Sequence, residues 1–380
     1  MANDLASAVD KILAQGLMVL RSQCVMPALV NSSYGAQATQ FGDSIQIPSS
    51  ATISVEDVAP SATPTAAPDV ILTHKTISLN RWRKTSFYMT DKEAMEVQNG
   101  TAESHVNSAM AALAADVNGY ILGLYTGVYG IAGTIGADPF VTTVGALTAA
   151  QAVLENQYAP AADRWIVLNP AAQANAMGLS QFTNLEFGAT AQDIREGKIG
   201  RRLGFNWRMD QQVPRHVNSG GTPGSSTAFL VDQADHAIGD TTIAVDDGAT
   251  GQGDPVPIVG DIFTVAGDSQ TYTVSGWSAP TITYSPAAKV AWAENAAVTW
   301  KAAHAVNMAF QRGAIGFANR PILDSSQGLG NIIQYATDKV SGLSLRLEVE
   351  RQNKQTKWEF DILYGAELIQ PELACRIIGA

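Results

Sequence analysis

The chain has 380 residues and a formal net charge of −11, with 46% hydrophobic residues but only 16% charged ones. The length exceeds what one hydrophobic core comfortably serves, and the charged share lies well below the roughly 25% of ordinary soluble domains. A dedicated nucleic-acid binder, which needs a clustered basic face, is excluded, and so is a disulfide or zinc scaffold, because Cys24 and Cys375 are too few and too far apart.

Residues 3–24 predict an amphipathic helix, with Leu5, Val9, Ile12, Leu17 and Leu20 on one stripe and Asn3 placed to cap it. It reads equally as a core helix or as an arm that docks on a neighbour. Asp4, Asp10 and Lys11 interrupt the apolar residues, so it is not read as a signal peptide. No run approaches the ~18 apolar residues of a membrane span. Residues 51–69 hold Pro60, Pro64 and Pro68 among Ala, Ser and Thr, and are expected to be extended and coreless.

Ile77 to Thr90 (ISLNRWRKTSFYMT) predicts a single strand spanning some 46 Å at about 3.3 Å per residue. Its odd positions place Arg81 and Arg83 between apolar ends on one face, a pattern suited to a hairpin lying on a neighbouring subunit. Residues 101–125 predict the longest helix. Val106, Met110, Leu113, Val117, Ile121 and Leu124 recur at helical spacing, Thr101 can cap it, and Glu103 sits in the first turn. Ser108, Ala112, Ala115, Gly119 and Gly123 make a second face small enough for close packing.

From about residue 148 onward the pattern alternates: a helix at Leu147–Asn156, a buried strand at Trp165–Leu168, a short helix from Pro170, a basic segment, and a strand at Leu203–Met209. The basic segment carries Arg195, Lys198, Arg201, Arg202 and Arg208, interleaved with Asp193, Glu196 and Asp210. That mixture favours an inter-subunit salt-bridge surface over a nucleic-acid patch.

Residues 219–226 (SGGTPGSS) form a linker by composition. Residues 226–300 then hold nine acids against the single base Lys289, a net −8 that leaves −3 for everything else. The short strands Thr242–Val245, Ile262–Val265, Tyr272–Val274 and Thr281–Tyr284 predict a small antiparallel barrel, with Val298–Trp300 closing it. Finally, Leu343, Leu345, Leu347 and Val349 alternate with polar residues, as do Trp358, Phe360, Ile362 and Tyr364, predicting a half-buried hairpin.

Catalytic constellations are missing from the sequence: no phosphate-binding loop, nucleophile elbow, H-E-x-x-H or C-x-x-C occurs. His74, His105, His216, His236 and His304 are scattered without ligand spacing and read as lone structural or surface residues. Asp246-Asp247-Gly248 to Gly253-Asp254 lacks the alternating ligands of a calcium loop and reads as a turn. No catalytic, cofactor or metal residue is assigned, and the chain is read as a self-assembling structural protein, not an enzyme.

Four segments carry a resemblance: DIREGKIGRRLGFNWRMDQQVP (193–214), VGDIFTVAG (259–267), VNMAFQRGAIGFANRP (306–321) and GLSLRLEVE with KWEFDILYGAELIQPELACRI (342–377). In this order they resemble the major capsid proteins of tailed bacteriophages, the Hong Kong ninety-seven-type fold, and more narrowly the P twenty-two-type coat proteins with an insertion domain. The resemblance implies an α+β fold. It assigns an N-terminal arm to 1–31, an extended-loop hairpin (E-loop) to 32–92, and the spine helix of the peripheral domain to 93–128. An axial and peripheral α/β core follows over 129–218, then an inserted acidic β-barrel over 219–303 and a return to the core with a C-terminal sheet over 304–380.

It further implies hexamers and pentamers of an icosahedral shell in the virion, assembled in the bacterial host cytoplasm with a scaffolding protein and a portal. The shell encloses double-stranded DNA without sequence-specific binding, and involves no membrane or cofactor. Some members crosslink Lys to Asn between subunits, but nothing marks an active pair at Lys75 or Lys84. Arg81, Arg83, Lys84, Arg195, Arg201 and Arg202 are the expected inter-subunit contacts. The alternatives are an encapsulin-like compartment shell, and a carbohydrate-binding or adhesin protein that uses exposed Trp277, Trp292 and Trp300 as stacking platforms.

Overall fold

The computed structural model describes residues 5–34, 44–49, 73–92, 101–184, 195, 197, 199–217, 229–234, 236–246, 256–322, 331–338 and 342–379. The proline-rich stretch 51–69, the Gly/Ser linker and the acidic turn 247–254 lie outside them, as do the side chains of Leu5, Val9, Thr101 and Glu103. In chain order the main elements are helix α1 (Leu5–Gln23), strands β1 (Ser44–Ser49), β2 (Thr73–Ser78) and β3 (Arg81–Thr90), and helix α2 (Thr101–Gly123). Next come β4 (Gly130–Ala132), α3 (Gly145–Asn156), β5 (Arg164–Leu168), α4 (Pro170–Met177), β6 (Arg201–Arg202), β7 (Phe205–Met209) and β8 (Arg215–His216). Six short strands follow: β9 (Phe229–Val231), β10 (Thr242–Asp246), β11 (Ile262–Val265), β12 (Tyr272–Ser278), β13 (Thr281–Ser285) and β14 (Ala297–Trp300). The chain ends with β15 (His304–Gln311), β16 (Ile315–Arg320), β17 (Ile332–Thr337), β18 (Ser344–Gln352), β19 (Gln355–Leu368) and β20 (Ala374–Ile378).

The chain divides into two compact units. The first comprises Met1–Val19, Ser32–Leu113 and Gly316–Ile369; the second comprises Leu20–Asn31, Ala114–Ile315 and Gln370–Ala380. In the first unit, β17, β18 and β19 run antiparallel, and both β3 and β16 pair with β19. The alternation read from the sequence puts Leu345, Leu347, Val349, Phe360 and Ile362 on the buried face. Helices α1 and α2 reach this core: a β-carbon on Gly16 would lie 3.5 Å from Met110 Sδ and from Phe360, and 3.6 Å from Leu345.

The expected fourteen-residue strand is in fact two. β2 pairs with β1 over Ser78↔Ser44 to Thr73↔Ser49, whereas β3 pairs with β19 over Arg81↔Tyr364 to Thr90↔Gln355. The break at Leu79–Asn80 lies against Gly365, where a β-carbon would fall 2.2 Å from the Ser78 carbonyl oxygen. A straight strand cannot run through that crossing, and Ile77 of β2 and Leu79 of the break instead pack with Ile45, Ile47, Ala318 and Ile369 in a small separate core.

Helix α2 continues from the first unit into the second, and its predicted stripe is buried at Val106, Met110, Leu113, Val117 and Ile121. At Gly119 and Gly123 of its small-residue face, a β-carbon would meet nothing within 4 Å among the described residues. Because Leu113 is buried mid-stripe, Leu113→Ala is expected to cost about 2–5 kcal/mol through the cavity it leaves. Chemical denaturation measures this, and a loss below 1 kcal/mol would contradict the burial.

The second unit is built on a seven-stranded sheet of order β4-β20-β15-β5-β7-β6, with β8 also on β15. β15 is buried from His304 to Phe310. Asn307 ties the sheet together, accepting from the Asn169 amide at 2.7 Å and donating to the Ile377 carbonyl at 3.2 Å. Asn169 in turn caps α4, accepting from the Ala172 amide at 2.9 Å, with Pro170 in the first turn where no amide is needed. The buried Asn118 of α2 holds the end of α1, accepting from the Met26 amide and donating to the Gln23 carbonyl.

Strands β9–β14 close into a barrel of order β10-β13-β12-β11-β14-β9, as the acidic segment predicted, with β9 supplying a closing strand that the sequence reading did not identify. Its core is aromatic: Phe263, Tyr272, Tyr284 and Trp292 pack with Val231, Ile243, Val265 and Ile282. Trp292 is 4% exposed and stacks on His236 at 4.1 Å, while Trp277 and Trp300 pack against the same core. Trp292 is therefore a core residue and Trp277 and Trp300 are half-buried against that core, which weakens the adhesin reading.

The barrel docks on the rest of its unit through buried polar contacts. Thr271 Oγ1 donates to the Tyr129 carbonyl (2.7 Å) and Thr273 Oγ1 to the Thr126 carbonyl (2.9 Å). Arg376 is 0% exposed and donates to the Gly260 carbonyl (2.8 Å), the Thr126 carbonyl (3.2 Å) and Thr273 Oγ1 (3.2 Å), with its guanidinium 5.0 Å from the Tyr125 ring centroid. Gly260 adopts φ +99°, and a β-carbon there would lie 2.9 Å from Thr126 Cγ2, so both backbone geometry and close approach require glycine.

Candidate self-association surfaces

Antiparallel register sorts the first unit's sheet into two faces. Tyr335, Arg346, Asp361 and Lys84 stand opposite one another across four strands, flanked on the same face by Glu348, Glu359 and Ser86 and then by Glu350, Lys357 and Tyr88. This face is a closed charge ladder. Arg346 grips Asp361 with Nε 3.0 Å from each carboxylate oxygen, and Glu359 receives Lys84 at 3.1 Å and Lys357 at 2.6 Å. Trp82 Nε1 donates to Asp361 at 3.2 Å, and the Arg346 guanidinium lies 5.6 Å from the Trp82 ring centroid.

Burial works against the Glu359 charge, but hydrogen bonds from Lys357 and Lys84 outweigh it and hold its carboxyl below the usual range. Asp361 is the reverse case: burial raises its pKa despite the hydrogen bonds from Arg346 and Trp82. The rim of the ladder is aromatic and open to solvent, with Trp82 60% exposed and Tyr88 and Tyr335 about as open. Tryptophan, tyrosine and arginine are the residues that dominate protein–protein contacts.

The sequence-predicted contacts divide accordingly. Lys84 bonds Glu359 of its own chain, a partner the sequence does not reveal, while its side chain stays 59% exposed. It also faces away from Arg81 and Arg83, since successive strand residues alternate. Arg83 is exposed and Arg81 half-buried. Trp82 was passed over in the sequence, its only signal being a large aromatic at an even position between two arginines.

Arg195, Arg201 and Arg202 belong to the second unit, with Arg195 and Arg201 exposed and Arg202 half-buried. β6 and β7 form a tight hairpin whose turn residues, Leu203 and Gly204, have φ +49° and +82°. Trp207 anchors the hairpin, packing on Phe140 and Phe182 and donating to the Arg202 carbonyl at 3.2 Å. Arg208 stands 5.9 Å from the Trp165 ring centroid. Asp210 is not one of the interleaved surface acids that the sequence suggested: it is buried, and burial raises its pKa. Among the described residues, no group of three His, Cys, Asp or Glu side chains could hold a metal ion, and no helix is long and apolar enough to cross a membrane.

No protein-family model matches the sequence, and neither does any curated protein. Solved structures do match. A chain of Mycobacterium phage Che8 superposes with a TM-score of 0.52 at 13% identity, covering 92% of this chain and 88% of that one, so the two share a fold. The asymmetric unit of the bacteriophage PhiM1 mature capsid matches with a TM-score of 0.45 at 8% identity (89% of this chain, 82% of that one). The capsid structure of Cyanophage P-SCSP1u matches with a TM-score of 0.44 at 12% identity (92% and 85%).

Proposed function

We propose that this chain is the structural subunit of the icosahedral capsid of a tailed bacteriophage, assembling with copies of itself around double-stranded DNA. The observation that carries the reading is the fold shared with a Mycobacterium phage Che8 chain over 92% of this chain. The coat-protein segments at 193–214, 259–267, 306–321 and 342–377 support it independently.

On this reading residues 1–31 are the N-terminal arm, and β1 and β2 are the root of the extended loop (32–92). Helix α2 is the spine (93–128), and the two sheets belong to the peripheral and axial regions. The barrel is the insertion (219–303), placed between the core stretches 129–218 and 304–380. The role is structural and not catalytic. The shell is built from hexamers and pentamers in the host cytoplasm, with a scaffolding protein and a portal as partners.

Contacts between copies run through Arg81, Arg83, Lys84 and the aromatic rim of Trp82, Tyr88 and Tyr335, and through Arg195, Arg201 and Arg202 on the second unit. Each contact is worth little alone, but symmetry repeats it around the whole shell. Electron microscopy of the protein made with its scaffold tests the reading directly, and closed particles tens of nanometres across are expected. Arg83→Glu separates assembly from folding. Arg83 is exposed, so the subunit should change in stability by no more than about 0.5 kcal/mol, while shell formation read by sedimentation is blocked. A variant that assembles normally, or that unfolds as a subunit, removes β3 from the subunit boundary.

A further inference from the structure

Two histidines that the sequence reading treated as unrelated lie side by side at the root of the barrel. His216 on β8 and His304 on β15 are register partners, with ring centroids 5.5 Å apart, and both are buried. His216 is engaged on both ring nitrogens: Nε2 pairs with Asp261 Oδ1 at 2.7 Å and Nδ1 with the Tyr125 hydroxyl at 3.0 Å. Asp261 is engaged as well, its Oδ2 accepting from the Ile258 amide at 2.9 Å.

His304 differs. Its Nδ1 lies 2.7 Å from the Ala302 carbonyl, which can only accept, so the proton resides on Nδ1. Nε2 is then a bare acceptor, buried without a hydrogen-bond partner among the described residues. The charges bearing on His304 are Arg376, His216 and Arg215; none is a carboxylate, and the carboxylate of the cluster, Asp261, already holds His216 on Oδ1 and the Ile258 amide on Oδ2. A second proton on His304 would therefore create an unmatched cation and an unmatched donor in a buried cluster that already holds Arg376.

We propose that this His216–His304–Asp261–Arg376 cluster is an acid-released latch, in which protonation of His304 undocks the barrel from the seven-stranded sheet. Arg376 and Asp261 bridge the two parts, so a repelling charge beside them acts on the joint and not within either hydrophobic core. Burial, then the repulsion from Arg376, His216 and Arg215, overcomes the bond to Ala302 and pushes the pKa of His304 down to about 4. The sign follows from the proton count. The undocked state binds the proton more readily than the docked one, so docking is secure above the ordinary histidine range and is lost as pH falls from there towards 4. The latch works within one chain, independently of whether the chain forms shells.

Hydrogen exchange on the full-length protein tests it, with rates corrected for the intrinsic effect of pH. Peptides covering 124–129 and 257–262 should exchange roughly twentyfold faster at pH 5 than at pH 7, from the fraction of His304 protonated in each state. The barrel strands β10 and β13 should not change. His304→Asn retains a donor for the Ala302 carbonyl but cannot titrate, and it should abolish the acceleration. No acceleration in the parent, or equal acceleration in the variant, overturns the proposal. Should the variant not fold, the ring resonances of His304 in the parent decide the matter. Titration below pH 5 in the docked state supports the latch, and titration near pH 6.5 with unchanged exchange overturns it.

Discussion

Gly365→Ala is expected to be among the most damaging single substitutions in the first unit. The added β-carbon would lie 2.2 Å from the Ser78 carbonyl oxygen, 2.9 Å from its carbon and 3.3 Å from Leu79 Cα. All three are backbone atoms, so no side-chain rotation relieves the clash. Either β19 or the Leu79–Asn80 bend must move. Moving the bend shears the Ile77 and Leu79 side chains out of the core they share with Ala318 and Ile369. Moving β19 disturbs its register with β3 at Arg81↔Tyr364. Overpacking a well-filled core costs about 1–3 kcal/mol, and with rigid backbone on both sides the expected loss is about 3 kcal/mol or more. Chemical denaturation together with hydrogen exchange over β1, β2 and the end of β19 measures it. A variant within 1 kcal/mol of the parent would show that the bend does not press on β19.

Arg376→Met is expected to do comparable harm in the second unit by a different route. The guanidinium satisfies the Gly260 and Thr126 carbonyls and Thr273 Oγ1, all at the barrel's root. Burial pushes its pKa down to about 9, which leaves it cationic at neutral pH. Replacing a whole buried ion pair by apolar residues is often neutral, because both partners leave together. Here only the donor leaves, while the oxygens stay buried. Each acceptor left short costs about 1–3 kcal/mol, so the expected loss is about 3–5 kcal/mol, partly offset because Thr126 still accepts from Thr273. Methionine keeps most of the volume, which limits any cavity. The loss should appear at 124–129 and 257–262 before the barrel strands themselves. Unchanged protection there would mean that Thr271, Thr273 and His216 hold the barrel without Arg376.

These two positions also show where sequence reasoning stopped. Gly365 reads as an ordinary glycine interrupting an alternating strand, and Arg376 as one basic residue among apolar ones. The six cations proposed as contacts follow from charge and spacing along the chain, which carry no information about partners within the fold. The bond from Lys84 to Glu359, 275 positions away, is invisible to local pattern.

What the sequence by itself determined were the features whose cause is local. The alternation at Leu345–Val349 and Phe360–Tyr364 determined the hairpin and its buried face, because side chains on a strand repeat every second residue. The spacing from Val106 to Ile121 determined the stripe of α2, and the short apolar strands between turn residues determined the barrel. Only the tertiary structure decided the bend at Leu79–Asn80, the burial of Trp292, the capture of Lys84 by Glu359 and the pairing of His216 with His304. Each of these arises where backbone from distant parts of the chain comes within a few ångströms, and residue spacing along the chain does not encode distances of that kind.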